Sequence, residues 1–96
     1  MIGVVVTFSP ELPFDRDAVA KVAEGARHHF EGMPGLRQKA FTLDEDGSRA
    51  RNIYVWDDEE AARAFFTDEL VERVTALYGV RPVLEFVEII ALVDNT

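Results

Sequence analysis

Leu36-Arg37-Gln38-Lys39-Ala40-Phe41-Thr42-Leu43, the polar run Asp44-Glu45-Asp46-Gly47-Ser48, and Arg49-Ala50-Arg51-Asn52-Ile53-Tyr54-Val55-Trp56 read together as two strands joined by a turn. This central hairpin decides the fold. Strand alternation puts Asn52, Tyr54 and Trp56 on one face. An amide, a phenol and an indole N–H on planar bodies are the inventory of a pocket that orients a flat organic molecule. They are equally the inventory of a buried strand with satisfied polar tips, and at this point both readings stand.

Outward from the hairpin, Ile2, Val4, Val6 and Phe8 alternate with Gly3, Val5 and Thr7 as a first strand, broken by Pro10 and Pro13. A helix follows, capped by Asp15, with Phe14 placed to staple onto Val19. Its inner stripe is Val19, Val22, Ala23, Ala26, His29 and Phe30. Gly25 weakens it by about 1 kcal/mol relative to alanine unless close packing exploits the missing side chain. Gly32-Met33-Pro34-Gly35 ends it. After the hairpin, Asp57 with Glu60 forms a capping-box-like helix start, and Ala61, Ala62, Phe65 and Phe66 follow. Thr67 or Asp68 caps a continuation carrying Leu70, Val71, Val74, Leu77 and Tyr78, stopped by Gly79 and Pro82. The last strand is expected over Val83 to Val93. The order βαββαβ predicts an α+β fold, a ferredoxin-like sandwich, as one domain over residues 1–96.

Such a sheet has helices on one face only, yet the last strand is apolar on both. Val83, Val87, Ile89, Ala91 and Val93 point one way, and Leu84, Phe86, Ile90 and Leu92 the other, interrupted by Glu85 and Glu88. The uncovered face calls for a second sheet, and a second copy of the chain supplies one, so a homodimer is expected.

The 96 residues are 48% hydrophobic and 29% charged, as in an ordinary globular domain. A net charge of -8 opposes nucleic-acid and anionic-membrane binding. No window reads as a membrane span, and the apolar start lacks the basic n-region and cleavage site of a signal peptide. Without cysteine there is no disulfide, thiolate metal site or thiol nucleophile, and the expected location is the cytoplasm.

Asn52 and Trp56 stand about 13 Å apart along the strand with Tyr54 between them, enough to hold opposite ends of two or three fused rings. His29 lies on the apolar stripe, where a neutral imidazole can accept a proton, while His28 falls off it. Adjacent helical residues diverge by about 100° and cannot share one ion, so no metal is expected. Tyr78 and Arg81 are placed at the mouth of a cavity between helix and sheet. Arg37, Lys39, Arg49 and Arg51 form a basic patch on the hairpin, read as a solvated edge, with Glu85 or Glu88 as its partner; Glu88, on the face of Phe86 and Ile90, is a candidate buried carboxylate. Phosphate-loop, serine-triad and Walker patterns are absent.

The chain resembles the dimeric α+β barrel superfamily, and within it the cofactor-independent monooxygenases of the YdhR and antibiotic-biosynthesis type. The resemblance is carried by Gly35-Leu36-Arg37-Gln38-Lys39, by Ile53-Tyr54-Val55-Trp56 leading into Ala61-Ala62-Arg63-Ala64-Phe65, by Tyr78-Gly79 before Pro82, and by Val93-Asp94-Asn95. It implies face-to-face dimers and oxidation of polyphenolic or anthrone-like substrates by molecular oxygen without a cofactor. It also implies that Asn52 and Trp56 hold substrate oxygens. His29 or Tyr78 then moves a proton, and Tyr54, Phe65 and Arg81 are expected substrate contacts. The chain departs from the quinone-forming members where Phe65 and Phe66 occupy a helix that carries a tyrosine in them. Two functions follow as expectations: a monooxygenase, an oxidoreductase acting on a small aromatic phenol, or a dimeric small-ligand-binding or stress-associated domain without turnover.

Overall fold

The computed structural model describes residues 1–95. Its elements are β1 (Ile2–Phe8), α1 (Arg16–Phe30), β2 (Leu36–Leu43), β3 (Ala50–Trp56), α2 (Glu59–Phe65), α3 (Asp68–Tyr78) and β4 (Val83–Glu88). The strands form one sheet in the order β2-β3-β1-β4, with every neighbouring pair antiparallel. This is the ferredoxin-like α+β fold expected from the sequence.

Alternation sends Val4, Val6 and Phe8 of β1 and Ala50, Asn52, Tyr54 and Trp56 of β3 to the helix-covered face, where all are buried. Ala62 of α2 completes the core cluster, with Phe65, Phe66, Leu84 and Phe86 packed against it. Thr67 caps α3 through its hydroxyl, which accepts from Leu70 N–H at 3.2 Å. Gly79 ends that helix at φ 78°, and its N–H donates to the Thr75 carbonyl. By contrast α1, capped by Asp15 as anticipated, has no buried residue; Val19, Val22, Ala23, Ala26 and Phe30 are half-buried. It stands off the sheet and leaves a gap beneath it.

Several expectations are corrected. The last strand ends at Glu88, where its pairing with β1 ends at Ile2↔Glu88, and the Ile89 N–H donates to the Met1 carbonyl at 3.1 Å. Asp58, not Asp57, caps α2, accepting from Ala61 N–H at 2.8 Å, while Asp57 takes the Arg37 guanidinium at 2.6 Å. Arg49 and Arg51 pair with Asp44 inside their own hairpin rather than with Glu85 or Glu88. Glu88 is exposed. A register shift between Leu36 and Gln38 turns both Leu36 and Lys39 toward the helix side.

The opposite sheet face carries no helix. There Ile53, Val83 and Val87 are 40%, 63% and 46% exposed, and beyond β4 Ile90 and Val93 are exposed as well.

Candidate functional site

The gap beneath α1 is a cleft of about 380 Å³. Its floor is Lys39 and Phe41 of β2 with Asn52 and Tyr54 of β3; its walls come from α1 and α3. The face of β3 that carries Asn52 therefore looks toward the helices, into an intrachain cavity and away from the open face of the sheet.

Asn52 is 5% exposed, and its Nδ2 donates to the Tyr78 hydroxyl at 3.4 Å. Tyr78 is held by stacking on Phe8, with ring centroids 3.9 Å apart at 18°, and by the edge of Phe14. Among the described residues the Asn52 carbonyl oxygen accepts no protein hydrogen bond, so it is available to a ligand donor. Burial, and then the neighbouring Tyr78 phenol, push the Tyr54 phenol well above its ordinary range, which keeps it protonated as a hydrogen-bond donor. Phe30 stands edge-on to both Tyr54 and Phe65, and Phe65 is tilted against Tyr54 at 48°, all at about 6 Å, giving the cleft an aromatic wall.

The structure brings Asn52, Tyr54, Phe65, Tyr78 and His29 together in the lining. His29 is exposed at the mouth, its ring 4.4 Å from that of His28. Two expected site residues lie elsewhere. Arg81 is exposed and outside the lining. Trp56 is 1% exposed and lies behind the lining, its ring 5.2 Å from Phe65 and stacked on Tyr54 at 6.1 Å. Its indole N–H is enclosed with no acceptor among the described residues, an arrangement that costs about 1–3 kcal/mol.

Two lining residues escaped the sequence reading. Lys39 lays its ammonium 3.4 Å from the Phe30 centroid, 4.1 Å from Phe41 and 4.4 Å from Tyr54. Burial pushes its amine down from 10.5 to about 7, while the ring faces oppose that by favouring the charged form. The signal was its parity with Phe41 and Leu43 in β2. Arg73 enters from α3; it precedes Val74 in the apolar stripe and gave no separate signal. Among the described residues no group of three His, Asp or Glu side chains is gathered as a metal site, and no helix is long and apolar enough to cross a membrane.

The class the fold defines is a ferredoxin-like α+β protein, with an aromatic, polar-tipped cleft between sheet and helices. Residues 4–86 match the family model described as "Putative mono-oxygenase ydhR", and the chain belongs to that family. Family membership supports a monooxygenase-like function in general terms. No curated protein matches the sequence. Among solved structures, the fold is similar to the monooxygenase from the gene ActVA-Orf6 of Streptomyces coelicolor, crystallised with Nanaomycin D, at 21% identity and TM-score 0.73 over 99% of this chain and 92% of that one. SnoaB, a cofactor-independent oxygenase from Streptomyces nogalater whose structure is that of a mutant form, is similar at 18% identity and TM-score 0.67, covering 95% and 94%. Rv0793 from Mycobacterium tuberculosis is similar at 11% identity and TM-score 0.66, covering 99% and 98%.

Proposed function

We propose that the protein is a cofactor-independent monooxygenase that oxidises a small planar phenolic substrate with molecular oxygen. The observation that carries this reading is the cleft itself, where the Asn52 amide faces an aromatic-walled space of about 380 Å³, within the range that encloses small organic ligands. In this reading Phe30, Tyr54 and Phe65 hold the rings, and Asn52 with Tyr78 holds an oxygen substituent. As a proton leaves the substrate, negative charge develops on that oxygen, and the Asn52 N–H now directed at Tyr78 turns to it. The electron-rich substrate then reduces oxygen itself. For an anthrone, the ring methylene becomes a carbonyl; one oxygen atom enters the product and the other leaves as water with the two hydrogens. The protein contributes orientation, proton removal and exclusion of water. His29, exposed at the mouth, exchanges the proton with solvent. Trp56 packs against the Tyr54 and Phe65 rings and holds them in place.

The working unit is a homodimer in this proposal. The uncovered sheet face, with Val5, Ile53, Val83 and Val87, supports it, because a second copy removes that apolar surface from water. The test of activity is oxygen uptake with an anthrone and polyphenol panel. Uptake above the spontaneous rate, lowered about 100-fold in Asn52→Ala, supports the reading. Ligand-induced thermal shifts with no uptake across the panel replace it with binding without turnover.

A further inference from the structure

The charges of the cleft differ from those of the chain. With 18 acidic against 10 basic residues overall, the cleft lining contains Lys39 and Arg73 and not one carboxylate. The other titratable groups facing it are His29 from α1, Tyr54 from β3 and Tyr78 from α3. Glu24, Glu31, Arg27 and Arg37 line two adjoining grooves that Lys39 also borders, and none of them lines the cleft. Glu24 is already paired with Arg27, and Arg37 with Asp57. Among the described residues Lys39 makes no ion pair and no hydrogen bond, and ring faces are its company.

A half-buried amine without an anionic partner is unfavourable, since partial desolvation disfavours its charge. An anion in the cleft would complete the pair and offset that penalty. The Lys39 amine lines the same cleft as Asn52, lying over the Phe30, Phe41 and Tyr54 rings, where an aromatic ligand's hydroxyl would meet it. We propose that Lys39 takes the proton of an acidic aromatic hydroxyl entering the cleft and then holds the resulting phenolate or enolate as its ammonium partner, with Arg73 as a second, fixed cation. The inference rests on the cleft being the site of a planar aromatic ligand. The step is a proton transfer: the ligand O–H bond breaks, an Nζ–H bond forms, and the electron pair stays on the ligand oxygen. No oxidant is consumed. The product is an electron-rich anion lying against the Asn52 amide. Burial, which already brings the free amine to about 7, makes this exchange accessible near neutral pH. A protonated guanidinium such as Arg73 cannot perform it.

Lys21 and Lys39 are the two lysines of the chain, and Lys21 is exposed, so lysine-selective 13C labelling reports Lys39 against an internal control. The probe is 2-hydroxyanthraquinone, a planar tricyclic phenol whose colour changes on ionisation. In wild type the bound dye ionises about one to three pH units below the free dye. Dye binding also returns the Lys39 13Cε signal from its amine to its ammonium position at a pH where the free protein holds it neutral, while Lys21 does not move. In Lys39→Met and Lys39→Gln the dye still binds, but its ionisation returns toward that of the free dye. Dye that binds in its neutral form, or a Lys39 signal unmoved by dye, overturns the inference and leaves the cleft's ligand reading intact. No dye binding by wild type, in a protein whose Lys39 titrates near neutrality, overturns both, so the two failures are separable. The wild-type 13C measurement stands even if a Lys39 variant fails to fold.

Discussion

Lys39→Met should make the protein more stable at neutral pH and should remove a pH dependence that wild type carries. The folded-state amine lies at about 7 against 10.5 in its ordinary state. At about 1.36 kcal/mol per pH unit, that difference sets a ceiling of about 5 kcal/mol. Lys39 is half-buried and water screens it, and the three ring faces return about 0.5–2 kcal/mol to the ammonium, so about 2 kcal/mol is the working magnitude. Because the folded value is below the unfolded one, the unfolded chain binds more protons between about pH 7 and 10.5, and wild-type stability climbs with pH across that window. Below pH 7 both states are protonated and the penalty is complete. Urea unfolding of wild type, Lys39→Met and the exposed control Lys21→Met, at one protein concentration and from about pH 6 to 10, measures it. Lys39→Met should exceed wild type by about 2 kcal/mol at the low end, with the gap closing toward the high end. A gap that stays constant with pH, or one that Lys21→Met reproduces, refutes the reasoning.

Other perturbations test separate parts of the account. Val87→Lys, on the uncovered sheet face, should convert a dimer to monomers by light scattering at micromolar concentration while leaving the far-ultraviolet circular dichroism unchanged. Gly35→Ala should cost about 2–4 kcal/mol in urea unfolding, since Gly35 sits at φ +82° and an added Cβ would lie 2.9 Å from the Ala61 Cβ. Gly25→Ala should instead stabilise by about 0.5–1 kcal/mol, because the helix position is open and nothing lies within 4 Å of the added carbon.

The hairpin, the βαββαβ order and the shared face of Asn52, Tyr54 and Trp56 were legible from period-two alternation in Ala50–Trp56 and the polar run before it, whereas which side of the sheet that face covers was not, because apolar strands on both faces fit either side. Thr67 and Gly79 marked the ends of α3 for equally local reasons. The end of β4 was not legible: Ile89 to Val93 are as apolar as a strand, and only the observed pairing with β1, which closes at Ile2↔Glu88, sets it. Asp57 and Asp58 both satisfy a capping pattern, and the choice falls to the distant Arg37 that claims Asp57. At the site, Asn52 and Tyr78 were anticipated and meet at 3.4 Å. Trp56 shares its face with Asn52 and Tyr54 as expected, but its near-complete burial against Phe65 and Phe66 of the α2 end is something no strand pattern encodes. Lys39 read as part of a solvated edge because basic residues on hairpins commonly are; the register shift after Leu36 and the rings of Phe30, Phe41 and Tyr54 place it in the cleft.

Turnover of an aromatic substrate with molecular oxygen in the Asn52 cleft is measured by incubating wild type and Asn52→Ala with anthrone under 18O2 and analysing the product by mass spectrometry. The account predicts anthraquinone formed well above the spontaneous rate by wild type, with one labelled oxygen per molecule, and a rate about 100-fold lower for the folded Asn52→Ala variant. Product formed no faster than in buffer, or equally fast by both proteins, would contradict it.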